Sequence, residues 1–338
     1  SREVSVIGLA EVVRHLPRIY SRFRHLLRQV DSWKPDAAVL IDFPDFNFRL
    51  ARALHQRGIP VIYYISPQLW AWRSRRIELV RRYIHKMLVI FPFEQEWYRQ
   101  RGVEAEFVGH PLCDVPVPAI TRGEFAQAHD IDPGKIWISL LPGSRRQEFA
   151  RIAPALIQAA QILEAQEQGS PDFEFLLPVA STLSREWVRS FVPEGLRVTL
   201  TSDARETLHH SRAAAVASGT ATVQTALAGV PFLMVYRVSP LTWSLGRRLV
   251  KVPHYAMPNL IAGERVVPEL VQEKLTPQAV CAALRNLLAE GRERQQMIAR
   301  LQDVRTRLCG CGTTVSGREP VSDHAIDRAA TALLAALK

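Results

Sequence analysis

Short runs of consecutive apolar residues alternate along this chain with longer stretches in which apolar positions recur every three or four residues. The runs at 37–41, 60–65, 86–90 and 105–108 are bounded by turn residues and too short for helices, so they read as buried strands. Helical patterns such as 45–56 separate them, and this alternation predicts βαβ units with a parallel sheet. Between Gly109-His110-Pro111 and Pro133 the pattern stops, punctuated by Pro116 and Pro118, which predicts a domain boundary. It restarts with a strand at 136–141, a helix at 146–167 and strands at 173–177, 196–200, 213–217 and 232–235, and from Pro277 onward it is nearly all helical. The expected architecture is α/β: two doubly wound Rossmann-like parallel-sheet domains facing a cleft, over 1–115 and 116–338, the second with a helical carboxyl-terminal end.

A length of 338 residues suits two domains, and 47% hydrophobic with 22% charged residues and no low-complexity tract excludes a disordered chain. No apolar run is long enough to span a bilayer, and no secretory signal opens the chain. Lys plus Arg number 43 against 33 acidic residues, a net charge of +10, which predicts an anionic partner: nucleic acid, lipid head groups or phosphorylated substrates. The 4 cysteines, at 113, 281, 309 and 311, do not make a disulfide framework, and the 309/311 pair lacks a second pair at zinc-ligand spacing. They are expected to be reduced cytosolic thiols. The histidines are scattered without a metal-binding pattern, so no metal is expected.

Four segments carry candidate chemistry. In Leu140-Leu141-Pro142-Gly143-Ser144-Arg145-Arg146 a strand runs through a Pro-Gly turn into a helix; free amides at the helix start with Arg145 beside them suit a phosphate, although an ordinary cap with solvent-facing arginines has the same signature. Val216-Ala217-Ser218-Gly219-Thr220-Ala221-Thr222 repeats the strand–turn–helix form, with Gly219 permitting close approach to the backbone. Two such turns in one domain point to a nucleotide diphosphate; neither is a Walker motif. Asp42 falls where the first strand ends and suits a base on a hydroxyl nucleophile or a plain turn aspartate, while Asp45 suits the N-cap of the next helix. Finally, Trp70-Ala71-Trp72-Arg73-Ser74-Arg75-Arg76 combines aromatic and basic residues, and in the opening stretch Val12, Val13, Leu16, Ile19 and Tyr20 share a helical face beside several arginines. That face is either core-facing, with Pro17 near its start, or interfacial on an anionic membrane.

Taken together, these segments resemble the lipid-A-disaccharide synthase family of GT-B glycosyltransferases. The matching residues are Lys34-Pro35-Asp36, Ile41-Asp42-Phe43-Pro44-Asp45-Phe46-Asn47, Ser66-Pro67 with Trp70-Ala71-Trp72-Arg73, Phe91-Pro92-Phe93-Glu94 and Gly109-His110-Pro111-Leu112. They continue through Leu141-Pro142-Gly143-Ser144-Arg145, Ala217-Ser218-Gly219-Thr220, Val235-Tyr236-Arg237 and Pro258-Asn259-Leu260-Ile261-Ala262-Gly263, in family order over almost the whole chain. The resemblance implies an inverting, metal-independent transfer without cofactor. UDP-2,3-diacylglucosamine and 2,3-diacylglucosamine 1-phosphate would give the β-1,6 disaccharide 1-phosphate and UDP, at the cytoplasmic face of the inner membrane. Asp42 would be the base and Arg145 would neutralise the leaving diphosphate. Gly143, Ser144, Ser218, Gly219, Thr220, Gln224, Tyr236, Arg237 and Asn259 would complete the nucleotide-sugar site. Val12, Val13, Leu16, Ile19, Tyr20, Trp70, Trp72 and Arg73 would face the acceptor and an anionic membrane. The helical carboxyl end would offer a homodimer contact.

Two departures from the family pattern shape the expectations. The family begins with a strand and a Gly-Glu-x-Ser-Gly-Asp turn that do not precede Ser1, so the first domain is expected to be amino-terminally truncated, its sheet exposed, and the chain poorly stable or inactive. Gln224 stands where GT-B enzymes usually carry a ribose-binding glutamate; it keeps hydrogen-bonding capacity and loses the charge. Glu269, in Pro268-Glu269-Leu270, is expected to cap a nearby helix, with a role in the site as the alternative. Other readings are another UDP-sugar enzyme of this fold, such as a peptidoglycan-precursor GlcNAc transferase or a UDP-GlcNAc epimerase, an inactive truncated form, and a basic nucleic-acid-binding module, for which no recognition motif appears.

Overall fold

A computed structural model describes residues 9–166, 173–250, 252–310 and 324–337. Its elements are α1 (Leu9–Trp33), β1 (Ala38–Ile41), α2 (Pro44–His55), β2 (Val61–Tyr64), α3 (Ile77–Tyr83), β3 (Lys86–Val89), α4 (Pro92–Arg99) and β4 (Ala105–Phe107). Next come α5 (Arg122–His129), β5 (Ile136–Leu141), α6 (Arg146–Gln166), β6 (Phe173–Pro178), α7 (Arg185–Arg189), β7 (Val198–Thr201), α8 (Ala204–His209), β8 (Ala213–Ala217) and α9 (Thr220–Leu227). The chain ends with β9 (Phe232–Tyr236), α10 (Pro240–Leu249), α11 (Met257–Ala262), β10 (Glu269–Val271), α12 (Pro277–Leu288), α13 (Arg292–Cys309) and α14 (Ala325–Ala336). The chain divides into two compact units, one through Pro111 together with the carboxyl-terminal helix and the other Leu112–Cys309.

The first unit holds a parallel sheet in the order β1-β2-β3-β4. One face is covered by α1 to α4: Phe48, Leu54, Val80 and Tyr98 are buried there, and Phe23, Leu26, Leu27 and Val30 of α1 pack against them. On another face Ala329 and Ala332 of α14 lie on Ile62 and Leu88. Buried Arg328 donates from Nε to the Val108 carbonyl at 3.0 Å. The sequence pattern, nearly all helical from Pro277, assigns this last helix to the second domain. In the structure its small apolar face returns to the first sheet, so the units do not follow the 115/116 division. At the sheet edge β1 leaves Val39 41% and Ile41 55% exposed.

In the second unit a parallel sheet runs β10-β9-β8-β5-β6-β7. Its central strands β8 and β9 are apolar along nearly their whole length, as strands covered on both faces require. α6 and α12 lie over it, burying Phe149, Ile152, Leu156, Leu163, Val280 and Leu284. The stretch before β5 is ordered by Arg122, stacked 3.6 Å over the ring of buried Trp137 and donating to the carbonyls of Pro133, Lys135 and His210.

The cysteine expectation is corrected for one pair. Cys113 and Cys309, 196 residues apart in sequence, are bonded, with their Cα atoms 5.5 Å apart. Cys281 is a buried free thiol, and Cys311 lies outside the described residues. Spacing along the chain carries no information about a pair that only folding brings together.

Candidate functional site

Strand order in the second sheet reverses beside β5: the chain proceeds to β6 and β7 on one side, then returns to β8, β9 and β10 on the other. Such a switch point opens a crevice at the carboxyl ends of the two central strands. β5 and β8 are those strands, with Leu141 paired to Val216. The two turns singled out by sequence, 142–145 and 217–220, therefore leave the sheet side by side, each leading into a helix.

Local chemistry explains both turns. Gly143 has φ +115°, and a Cβ there would sit 2.6 Å from Cγ and Cδ of Glu148, so both conformation and space require glycine. Glu148, in the first turn of α6, lies against Gly143; burial raises its carboxyl above the ordinary range, and Arg145 and the backbone beside it oppose that rise. Gly219 has φ 132° at the N-cap of α9, where no neighbouring atom closes off its Cα. Ser218 Oγ donates to the Tyr255 carbonyl at 2.9 Å. Tyr236 stacks on Tyr255 with centroids 6.3 Å apart, its phenol pushed up by burial with Glu148 adding to the shift. The switch point thus gathers Gly143, Ser144, Arg145, Ser218, Gly219, Thr220 and Tyr236.

Three residues expected at the nucleotide play different parts. Asn259 is fully buried and its amide is saturated: it donates to the Val267 carbonyl at 3.0 Å and Glu269 Oε1 at 2.8 Å, and accepts from the amides of Val266 and Val267. It shapes the 255–269 segment and has no hydrogen-bonding capacity left for a ligand. Arg237 donates to the carbonyls of Gln272 and Leu275, bracing the end of β9. Gln224 lines a separate cavity with Leu112, Cys113, Val117, Leu227 and Arg305. Glu269 accepts from the amides of Tyr255 and Ala256 at the start of α11, a cap formed across space. Glu148 and Tyr255 were not singled out by sequence; only the spacing of Glu148 from the helix start signals its capping position.

In the first unit Lys34-Pro35-Asp36 precedes β1, and the other resemblance motifs each follow a strand: Asp42 after β1, Ser66 after β2, Phe91 to Glu94 after β3 and His110 after β4. This edge carries left-handed backbone at non-glycine residues, with Asp42 at φ 49°, Phe43 at 45°, Ile65 at 64° and Arg73 at 56°. Each such residue costs roughly 1–3 kcal/mol, and such strain clusters where function needs it. Asp42 is held by its carbonyl, which accepts from Asn47 Nδ2 and Tyr63 Oη, both at 2.6 Å, leaving the carboxylate exposed. The N-cap of α2 is Phe43, not Asp45, because Pro44 takes the first helical position. Asp45 pairs instead with Arg73 and Arg76, at 3.2 and 2.5 Å.

Trp70 is fixed from beneath. Its Nε1 donates to Glu94 Oε1 at 3.0 Å, the Phe91 amide donates to Glu94 Oε2 at 3.1 Å, and Ser66 hydrogen-bonds Tyr98 Oη at 2.8 Å. Glu94 is 1% exposed, and burial pushes its carboxyl up to about 8. Burial takes His110 down to about 4, so its ring is neutral near pH 7. A carboxyl that binds its proton more tightly folded than unfolded stabilises the fold least once it must ionise. Below about pH 6.5 the neutral His110 gains stability with pH and offsets this loss, so thermal stability is expected to fall from about pH 6.5 to about 8 by a few kcal/mol at most, and Glu94→Gln is expected to flatten that fall. Melting curves of both proteins across this range check it.

Trp72 is 40% exposed with Arg73 stacked 4.2 Å over its ring. On α1, Tyr20 is 62% exposed and Ile19 half-buried, while Phe23, Leu26, Leu27 and Val30 face the core; the side chains of Val12, Val13 and Leu16 lie outside the described residues. Among the described residues no helix is long and apolar enough to cross a membrane.

A family model described as lipid-A-disaccharide synthetase matches residues 1–310. The chain is 56% identical over 337 residues to the lipid-A-disaccharide synthase of Koribacter versatilis, covering 99% of this chain and 85% of that protein. It is 49% identical over 333 residues to the one from Acidobacterium capsulatum, covering 94% and 82%. Among solved structures, the UDP-GlcNAc 2-epimerase of Neisseria meningitidis bound to UDP-GlcNAc superposes with TM-score 0.61 at 13% identity, over 98% of this chain and 83% of that one. A calicheamicin glycosyltransferase superposes with TM-score 0.56 at 16% identity, over 99% and 82%. At such identities the structural likeness speaks for the fold, two parallel-sheet α/β units of the GT-B kind.

Proposed function

The chain belongs to the lipid-A-disaccharide synthase family, and on that premise we propose how its own residues carry out sugar transfer. It is a glycosyltransferase of lipid A biosynthesis. The donor in this reading is UDP-2,3-diacylglucosamine and the acceptor 2,3-diacylglucosamine 1-phosphate. The observation that carries it is the pairing of the 142–145 and 217–220 turns at the switch point of the second sheet. Two helix starts and Arg145 there offer amide dipoles and a full positive charge to a diphosphate.

Asp42 takes the proton from the acceptor 6-hydroxyl, whose oxygen bonds to the anomeric carbon opposite the leaving group. The bond from that carbon to the UDP oxygen breaks and its electron pair leaves with UDP, so one displacement inverts the centre. Charge growing on the departing phosphate meets Arg145 and the amides around Ser144 and Thr220, a fixed environment that needs no reorganisation as the bond breaks. Tyr236 and Tyr255 flank this site.

The test is UDP release from the acylated donor with and without acceptor. Acceptor-dependent release is expected, and release from unacylated UDP-GlcNAc at the same rate would replace this reading with another UDP-sugar reaction. The exposed aromatic and basic residues of the first unit fit an anionic membrane that holds both substrates. Substituting Ile19, Tyr20 and Trp72 with serine is expected to lower co-sedimentation with anionic vesicles by about tenfold while the melting temperature stays within a few degrees.

A further inference from the structure

The chain leads into the second unit at Leu112 and out of it at Cys309. Cys113 stands one residue inside the entrance and Cys309 is the last residue before the exit, at the end of α13. Their bond therefore fastens the way in to the way out. Both residues are half-exposed, so a soluble thiol or disulfide reaches them. Cys281 differs: it is 3% exposed, its Sγ lies 3.7 Å from Gln166 Oε1, and burial pushes its thiol up. Among the described cysteines, the accessible pair sits at the junction.

We propose that Cys113 and Cys309 form a reversible thiol–disulfide switch that locks together the two stretches of chain connecting the second unit to the rest of the protein. Oxidation joins the two Sγ atoms and removes two electrons and two protons from the thiols. A small disulfide oxidant such as glutathione disulfide accepts them and leaves as two thiols, and a dithiol reverses the exchange. When reduced, the entrance and exit keep their non-covalent contacts, among them Arg205 donating to the Pro116 carbonyl and Arg307 donating to the Ala262 carbonyl at 3.2 Å. Movements of domains in enzymes are absorbed by a few residues at such connections, and product release often waits on them. The bond restrains these residues and leaves the 142–145 and 217–220 turns untouched, so it acts on turnover and not on nucleotide affinity. This consequence rests on the proposed transfer reaction, in which both units supply residues.

The test uses the full chain treated with glutathione disulfide or with dithiothreitol. Peptide mapping after alkylation is expected to show a Cys113–Cys309 cross-link only in the oxidised sample, and amide exchange over 112–118 and 305–309 is expected to quicken on reduction. The oxidised enzyme is expected to turn over about threefold or more slower with unchanged UDP affinity, and Cys113→Ser and Cys309→Ser are expected to be indifferent to the oxidant. Full alkylation of both cysteines in folded, oxidant-treated protein, or equal exchange in the two states, overturns the switch. Equal kcat in the two states, with the cross-link present, overturns its effect on turnover. Absence of turnover in both states, with the cross-link and the exchange difference intact, counts against the transfer reading and leaves the switch standing.

Discussion

Replacing Asp42 with asparagine is expected to lower kcat by about two to four orders of magnitude, the usual contribution of a positioned general base, while UDP affinity changes by less than about twofold. Asparagine suits this position for a structural reason. Asp42 has φ 49°, a conformation that asparagine adopts more readily than alanine, and the contacts that hold it run from Asn47 and Tyr63 to its backbone carbonyl rather than to its carboxylate. The variant therefore keeps the turn and loses only the proton acceptor. Asp42→Ala would confound chemistry with backbone strain. Single-turnover transfer and calorimetric UDP titration of the same preparation make the comparison. Undiminished transfer would remove Asp42 from the base role, and lost UDP binding would place it at the nucleotide instead.

Arg145→Ala is expected to weaken UDP binding by roughly 10- to 100-fold, the worth of a charge-assisted hydrogen bond to a phosphate. A further fall in kcat of about two to three orders of magnitude is expected from the loss of charge stabilisation as the diphosphate departs. The guanidinium is exposed at the start of α6 and braces no core element, so the melting temperature should hold. Arg145→Lys returns a point charge without the planar fork and is expected to recover binding more fully than turnover. The sign of Glu148 sharpens the test. Burial raises its carboxyl and Arg145 opposes that rise, so the site holds both a carboxyl of its own and the cation that answers an incoming anion. Wild-type kinetics for Arg145→Ala would mean that the diphosphate is held by α9 alone.

Much of the fold is legible in the apolar runs because buried parallel strands are nearly continuous in hydrophobicity; the strand at 136–141 appears with the bounds expected of it. β10 is not legible: Glu269, Leu270 and Val271 are half-buried at a sheet edge, too short and too polar to stand out from a loop. Glu94 is similar. In sequence it is one member of a motif without a stated task, and only packing reveals that it anchors Trp70 from the neighbouring strand end.

What the sequence determined by itself is the order of most elements, the two strand–turn–helix turns and the aspartate at the end of β1, because each depends on residues adjacent along the chain. Which of those residues still have unfilled hydrogen-bonding capacity was decided by tertiary structure. Asn259 looks identical to a site residue in a motif, yet its amide is filled by the Val267 carbonyl, the Glu269 carboxylate and the amides of Val266 and Val267, and Arg237 is drawn through Nη2 to the carbonyls of Gln272 and Leu275. The return of α14 to the first sheet and the meeting of Cys113 with Cys309 belong to the same class. Contacts between distant residues follow from the burial of complementary surfaces, and no local pattern records which surface will be the partner.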